Sequence, residues 1–268
     1  MLAALGLRRA AAALLGCLLL LGPVAHVRAE EPPLVAAAAD LQFALTEVAE
    51  AFRERTGDAI TLTFGSSGNF ARQIRDGAPF QVYLSADEQF VLDLAADGYT
   101  RDEGELYAVG RIVLQVPEGS PLEVDGTLED LRAALTDGRL KRFAIANPEH
   151  APYGRRAEEA LRHVGLWDAI QPYLVLGENV SQATRFATSG NAQGGIVAYS
   201  LVLAPEVASL GHHALIPADW HAPLRQRMVL LKDAGPVAER FFRFVQAPES
   251  REILIRFGFV LPGEVPVN

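Results

Sequence analysis

The sequence predicts an α/β fold of two lobes, each an open, mostly parallel sheet flanked by helices. Three observations predict it. From residue 35 onward, short apolar runs alternate with stretches whose apolar residues recur at helical spacing. This alternation comes in two sets, with long apolar segments at 106–116 and 225–231 placed to carry the chain out and back. The turns after the strands hold small or neutral polar residues, and open α/β sheets place their ligands at such turns.

In the first set, Val35 to Ala39 reads as a strand, and Asp40 is a good N-cap for the helix carrying Leu41, Leu45, Val48, Ala49 and Phe52, which stops at Gly57. Ile60 to Phe64 is the next strand, followed by a short helix over 69–76 that ends at Gly77. Val82 to Leu84 is a third strand. After Ser85-Ala86-Asp87 comes a helix with Phe90, Val91, Leu94 and Ala95 inward, stopped at Gly98; the run from Leu106 to Val116 is interrupted by Gly110.

The second set opens with a helix from Thr127 to Leu135, a strand from Arg142 to Ala146, and a helix from Gly154 to His163 with Gly165 beyond it. Leu174 to Leu176 is a strand, Val180 to Ala187 a helix ending near Gly190, and Gly195 to Leu203 an apolar strand. Met228 to Leu231 is a last strand. The closing helices, carrying Phe241, Phe242, Phe244, Ile253, Leu254 and Phe257, read as core and not as a partner surface.

The first 29 residues read as a secretory signal peptide. Arg8 and Arg9 precede an apolar run from Ala10 to Leu21, and Val27-Arg28-Ala29 presents small residues at −3 and −1 of a cut before Glu30. The run is too short to span a bilayer. Cys17, the one cysteine, lies inside it, and the four leucines that follow oppose a lipoprotein reading. The mature chain then has no thiol chemistry, which suits a periplasmic location. Removing residues 1–29 leaves 21 basic against 33 acidic residues, a net charge of −12. A chain so acidic is a poor partner for nucleic acid or an anionic membrane surface. Expected boundaries are a first lobe over 30–110 plus 225–262, a second over 111–224 and a tail over 263–268.

The stretch TFGSSGNF, residues 63–70, stops a strand with Gly-Ser-Ser-Gly and starts a helix there. It allows a plain turn with a serine cap, or an anion seat at the helix N-terminus, where N–H groups are unpaired. The negative net charge would repel an anion, so any seat must rest on directed donors. Other strand-end turns, at Ala39-Asp40, Ser85-Ala86-Asp87, 147–154 and Asn179-Val180, offer similar small or neutral groups, and across a cleft they would form a polar cage. Ser66 and Ser67 lack a nucleophile elbow and a histidine marked as their base. His150 reads as a structural loop residue. No zinc spacing, phosphate loop or dinucleotide fingerprint is present.

Seven ordered stretches, AAAADLQFAL, FGSSGNFARQI, GAPFQVYLSADE, ANPEHAPYGRRAEEAL, GENVSQA, GGIVAYS and RFGFVLP, span about residues 35–262. Together they resemble the periplasmic substrate-binding proteins of molybdate ABC transporters. The resemblance implies a two-lobed periplasmic binding protein, not an enzyme, that captures molybdate or tungstate in the cleft through neutral donors and delivers it to a membrane permease, with no cofactor and as a monomer. By motif, the donors are Ser67 (hydroxyl and N–H) and the backbone N–H groups of Ala86, Tyr153 and Val180, with Ser66 as a neighbouring cap. Gly65 and Gly68 provide backbone clearance. Tyr199 stands one place beyond the aligned tyrosine position, which Ala198 takes. Ala39 and Asp40 stand where many relatives have serine or asparagine at the second place. A carboxylate aimed at a dianion is costly, so Asp40 is expected to turn inward as the helix N-cap and offer only its N–H. The alternatives are another oxyanion (sulfate, phosphate or an organic anion) and a hydrolase using Ser67.

Overall fold

Three consecutive alanines after Val35, Ala36 to Ala38, make a strand thin enough to be covered closely on both faces. Leu34–Ala38 forms β1, and its alternate residues serve two cores. Val35 and Ala37 pack with Leu45, Val48 and Phe52, whereas Ala36 packs with Phe70, Ile74 and Val91. A parallel strand covered on both faces reads as an unbroken apolar run, which is what the sequence shows.

The computed structural model describes residues 31–264. The expected signal peptide, with Cys17, lies outside the described residues, as does most of the expected tail. A 3-10 turn, Ala39–Leu41, leads from β1 into α1 (Gln42–Thr56), which ends at Gly57 with φ 76°. Then come β2 (Thr61–Gly65), α2 (Ser67–Arg75), β3 (Phe80–Ser85), α3 (Glu88–Ala96) and β4 (Glu105–Gly110). The chain passes through Arg111 into β5 (Ile112–Pro117), so the run at 106–116 is two strands of two different sheets. Next follow α4 (Glu129–Asp137), β6 (Phe143–Ala146), α5 (Pro152–His163), α6 (Trp167–Ile170), β7 (Leu174–Gly177) and α7 (Val180–Thr188). After β8 (Gly194–Ala198), α8 (Tyr199–Val202), α9 (Pro205–Ala208) and β9 (Gly211–Leu215), β10 (Leu224–Leu230) returns to the first sheet, and α10 (Pro236–Val245) and α11 (Pro248–Arg256) follow.

The result is two lobes built on one plan. The first sheet runs β2-β1-β3-β10-β4 and the second β7-β6-β8-β5-β9. In each, one strand opposes its neighbours: β10 is antiparallel to β3 and β4, and β5 to β8 and β9. The rest are parallel, so each sheet is open and mostly parallel, and the reversed strand in each is the one the chain enters directly after a crossing between lobes.

Two differences from the sequence reading have physical causes. The apolar run at 195–203 was expected to be one strand, but β8 stops at Ala198 and Tyr199 opens a helix. The Tyr199 N–H donates to the Arg111 carbonyl at 3.0 Å, and Ser200 Oγ donates to the Asp40 carbonyl at 2.8 Å, tertiary bonds that a buried run's lack of period does not reveal. Strand β9 was not read at all, because its Gly-His-His-Ala-Leu has little strand composition and gains its place by pairing with β5. The closing helices are core as expected: Phe241 and Phe244 meet Phe52 edge-on, with ring centroids 5.3 and 5.4 Å away.

Candidate functional site

The carboxyl ends of β1, β2 and β3 face those of β6 and β7, and the turns that follow these strands converge. Seven of the eight residues expected at the site, Ala39, Asp40, Ser66, Ser67, Ala86, Tyr153 and Val180, line one small cavity of about 10 Å³ between the lobes. No lysine or arginine lines it. Helix α2 begins at Ser67, α5 at Pro152 just before Tyr153, and α7 at Val180. First-turn N–H groups have no acceptor in their own helix, so three helix starts bring unpaired donors and positive dipole ends to one point.

Ser67 is fully buried, and its hydroxyl oxygen accepts from the Ala86 N–H at 3.0 Å. Its carbonyl accepts from the buried Tyr83 hydroxyl at 2.8 Å, which fixes the start of α2 against β3. A cavity this small holds about one water.

Ser66 stands at the N-cap position of α2 with extended backbone, yet its side chain makes no capping bond. Its hydroxyl instead meets His150 Nδ1 at 3.0 Å, across the lobes. The Gly68 N–H donates to the His150 carbonyl at 3.0 Å, and a Cβ at Gly68 would lie 2.7 Å from that oxygen. The clearance expected of Gly68 is thus clearance for the opposite lobe. His150, read as a loop residue, is a bridge: its Nε2 also lies 3.6 Å from Glu178, which accepts from Asn69 Nδ2 at 2.6 Å. Hydroxyl, imidazole and carboxylate here follow one another, but the Glu178 side chain is 64% exposed and the serine is Ser66, so the row ties lobes together and activates nothing at Ser67.

Two strand-end turns are held by side-chain caps. Asp87 accepts from the Gln89 N–H at 3.0 Å, and also pairs with Arg156 of the opposite lobe at 3.2 Å. Asn179 accepts from the Gln182 N–H at 3.0 Å, holding the start of α7.

Asp40 corrects the sequence reading. It caps neither the 3-10 turn nor α1 with its side chain. Its carboxylate is turned into a buried network in which Oδ2 accepts from the Tyr153 hydroxyl at 3.0 Å and from Gln226 Nε2 at 2.6 Å. The Tyr107 hydroxyl donates to Gln226 Oε1 at 2.7 Å, which orients that amide. A Cβ at Gly110 would overlap the Tyr153 hydroxyl, so the glycine before the outgoing crossing makes room for the network. Burial pushes Asp40 up from its ordinary 3.8 to about 6, against hydrogen bonds from Gln226, Tyr153 and its own backbone that pull it down. Burial, and then the nearby Asp40 charge, hold the Tyr153 and Tyr107 hydroxyls well above the usual tyrosine range.

Tyr199 is the one expected site residue that is absent from the cavity lining. It opens α8, and its ring tilts against His213 with centroids 5.6 Å apart. Gln226 and Tyr107 were not singled out from sequence. A trace was present for the first: in Leu224-Arg225-Gln226-Arg227-Met228 the glutamine takes the inward place between two apolar residues, a position a strand gives to a polar group only when it has a partner.

Comparison with known proteins places the fold in a family. The family model described as bacterial extracellular solute-binding protein matches residues 33–260. The chain is 37% identical over 230 residues to the molybdate-binding protein ModA of Rhodobacter capsulatus, covering 85% of this chain and 87% of that protein. It is 34% identical over 231 residues to the molybdate-binding protein ModA of Azotobacter vinelandii, covering 85% and 89%. Among solved structures, the Azotobacter vinelandii periplasmic molybdate-binding protein superposes with a TM-score of 0.77 at 31% identity, over 86% of this chain and 99% of that one. This chain belongs to the bacterial extracellular solute-binding protein family.

Proposed function

We propose that this protein captures molybdate, or its tungstate analogue, between its lobes and delivers it to the membrane permease of an ABC transporter. The observation that carries this reading is a buried cavity bounded by turns of both lobes, where the Ser67 hydroxyl and the starts of α2, α5 and α7 converge and no lysine or arginine intrudes. The relatives' molybdate-binding names support the choice of oxyanion. Ser67, Ala86, Tyr153 and Val180 would bond the ligand's oxygens as neutral donors. These are hydrogen bonds, not coordination of the metal, and no cofactor takes part. Ser66, Ala39 and Asp40 complete the wall, with Asp40 also offering its N–H. Tyr199, packed on His213, is left out of this reading.

Neutral donors suit a permanently charged dianion. The lobes, residues 30–110 plus 225–262 and residues 111–224, would close about the crossings near Arg111 and Leu224, as hinged clamps do. The chain works as a binding protein, not an enzyme, in an extracytoplasmic compartment reached through the leader at residues 1–29, and as a monomer. Calorimetric titration with molybdate, tungstate, sulfate and phosphate tests it: tight binding of the first two supports the reading, and heat with sulfate or phosphate alone replaces it with the other-oxyanion alternative.

A further inference from the structure

Asp40 is the one acidic residue in a cavity otherwise walled by neutral groups. Its two carboxylate oxygens are used unequally. Oδ2 accepts the side-chain hydrogen bonds of Tyr153 and Gln226, whereas Oδ1 is buried with no hydrogen-bond partner. A buried carboxylate oxygen without a donor is expensive to keep. Among the side chains that line the cavity Asp40 carries the one carboxylate, and its Oδ1 is the carboxylate oxygen left without a donor. A dianion brings only more acceptors, and two bare anionic oxygens side by side repel.

One proton resolves both problems. A carboxylic acid whose carbonyl oxygen accepts from Tyr153 and Gln226 and whose hydroxyl donates from Oδ1 has all its hydrogen-bonding capacity used. Resting on the reading of the cavity as an oxyanion site, we propose that capture of the dianion takes up one proton, held between Asp40 Oδ1 and an oxygen of the ligand. Carboxylate, dianion and one proton from solvent give a complex in which no bond of the oxyanion breaks and no electron moves. The count is the same whether the proton lies nearer the carboxylate or the ligand.

The neighbours permit this. Tyr153 from α5 donates to the carboxylate and Tyr107 from β4 stands one bond further away, behind Gln226 of β10. From α8, Ser200 reaches only the Asp40 carbonyl, and Gln42 of α1 and Ser181 of α7 bond each other at 2.6 Å. Among the described residues no ion pair involves Asp40, so no cation holds it ionised. Burial already raises Asp40 to about 6, which leaves the carboxylate mostly ionised near neutrality and makes solvent the source of the proton.

The test is calorimetry of the purified protein with molybdate between pH 6.5 and 8.5, each pH in two buffers of different ionisation heat, for the wild type and for Asp40→Asn. The expected results are uptake of close to one proton at pH 8 in the wild type and a Kd that weakens about tenfold per pH unit above neutrality, as one-proton linkage requires. Asp40→Asn, whose amide carries its own N–H, is expected to bind with neither dependence. Wild-type heats that do not change with buffer overturn the proposal without needing the variant, and so does proton uptake that persists in a folded Asp40→Asn, which would assign it to another group such as His150. No heat with molybdate or tungstate in either protein defeats the oxyanion reading itself, an outcome distinct from binding without proton uptake.

Discussion

The Tyr153 hydroxyl donates to Asp40 Oδ2 at 3.0 Å, a bond that joins the second lobe to the first beside the candidate site. Tyr153→Phe keeps the ring and removes the donor, leaving Gln226 as the sole partner of a buried carboxylate. The expected loss is about 1–3 kcal/mol of stability at pH 8, the range for depriving a buried charged group of a hydrogen bond. Urea unfolding measures it, and an unchanged midpoint would show that the bond across the lobes contributes nothing net.

Ser67→Ala removes the hydroxyl that holds the Ala86 N–H and that the proposed function turns to the ligand. Oxyanion affinity should fall by about 1.5–3 kcal/mol, the range for a hydrogen bond to a charged group. Titration calorimetry reads the change, and equal affinity for the two proteins would take Ser67 out of the site.

Gly68→Ala places a methyl 2.7 Å from the His150 carbonyl oxygen of the facing lobe. The lobe that carries it can still fold, because the clash arises only where the lobes meet. An overpacking cost of about 1–3 kcal/mol should therefore appear as weaker oxyanion binding with little change in melting temperature. A lower melting temperature at unchanged affinity would contradict this.

Asp40→Asn should change how stability depends on pH. Asp40 rises from 3.8 to about 6 on folding, so its favourable contribution is fully present below 3.8 and is lost as pH climbs through about 6. The rise corresponds to about 3 kcal/mol, which the wild type loses between pH 4 and pH 8 and the amide variant does not. Thermal unfolding of both proteins at the two pH values checks the difference. Parallel curves would mean that the carboxylate is not desolvated.

Phe52→Ala serves as a control far from the cavity. Phe52 is fully buried against Phe241 and Phe244, and its truncation should cost about 3–5 kcal/mol of stability. Affinity measured well below the new melting temperature should stay as it was, since no cavity residue loses a contact. An equal loss of affinity would couple this core to the site.

Much of the site was legible because its residues sit where local chemistry is distinctive. The serines of FGSSG, the Asp87 and Asn179 caps and the turn at Tyr153 each mark the start of a helix after a strand, and strand ends of one lobe face those of the other. Three things were not legible. The role of Asp40 depends on Gln226, 186 residues away in sequence, whose amide sits beside it only because β10 returns to the first sheet. Tyr199 was expected near the ligand only through the resemblance, one place beyond the aligned tyrosine position, and the residues alone do not show that it opens α8 and packs on His213. His150 looked inert because its partners, Ser66, Gly68 and Glu178, lie on elements remote in sequence or across a turn.

The sequence by itself determined the alternation of strand and helix, the two lobes, and which turns carry small neutral donors, because periodicity, capping residues and glycine positions are local properties of the chain. Only the tertiary structure decided that Asp40 turns its carboxylate into a buried network with one oxygen left without a donor, and that Ser66 and Gly68 meet His150. Hydrogen bonds between distant segments form only when both lobes have folded and met, and the geometry of that meeting is not written in any short stretch of residues.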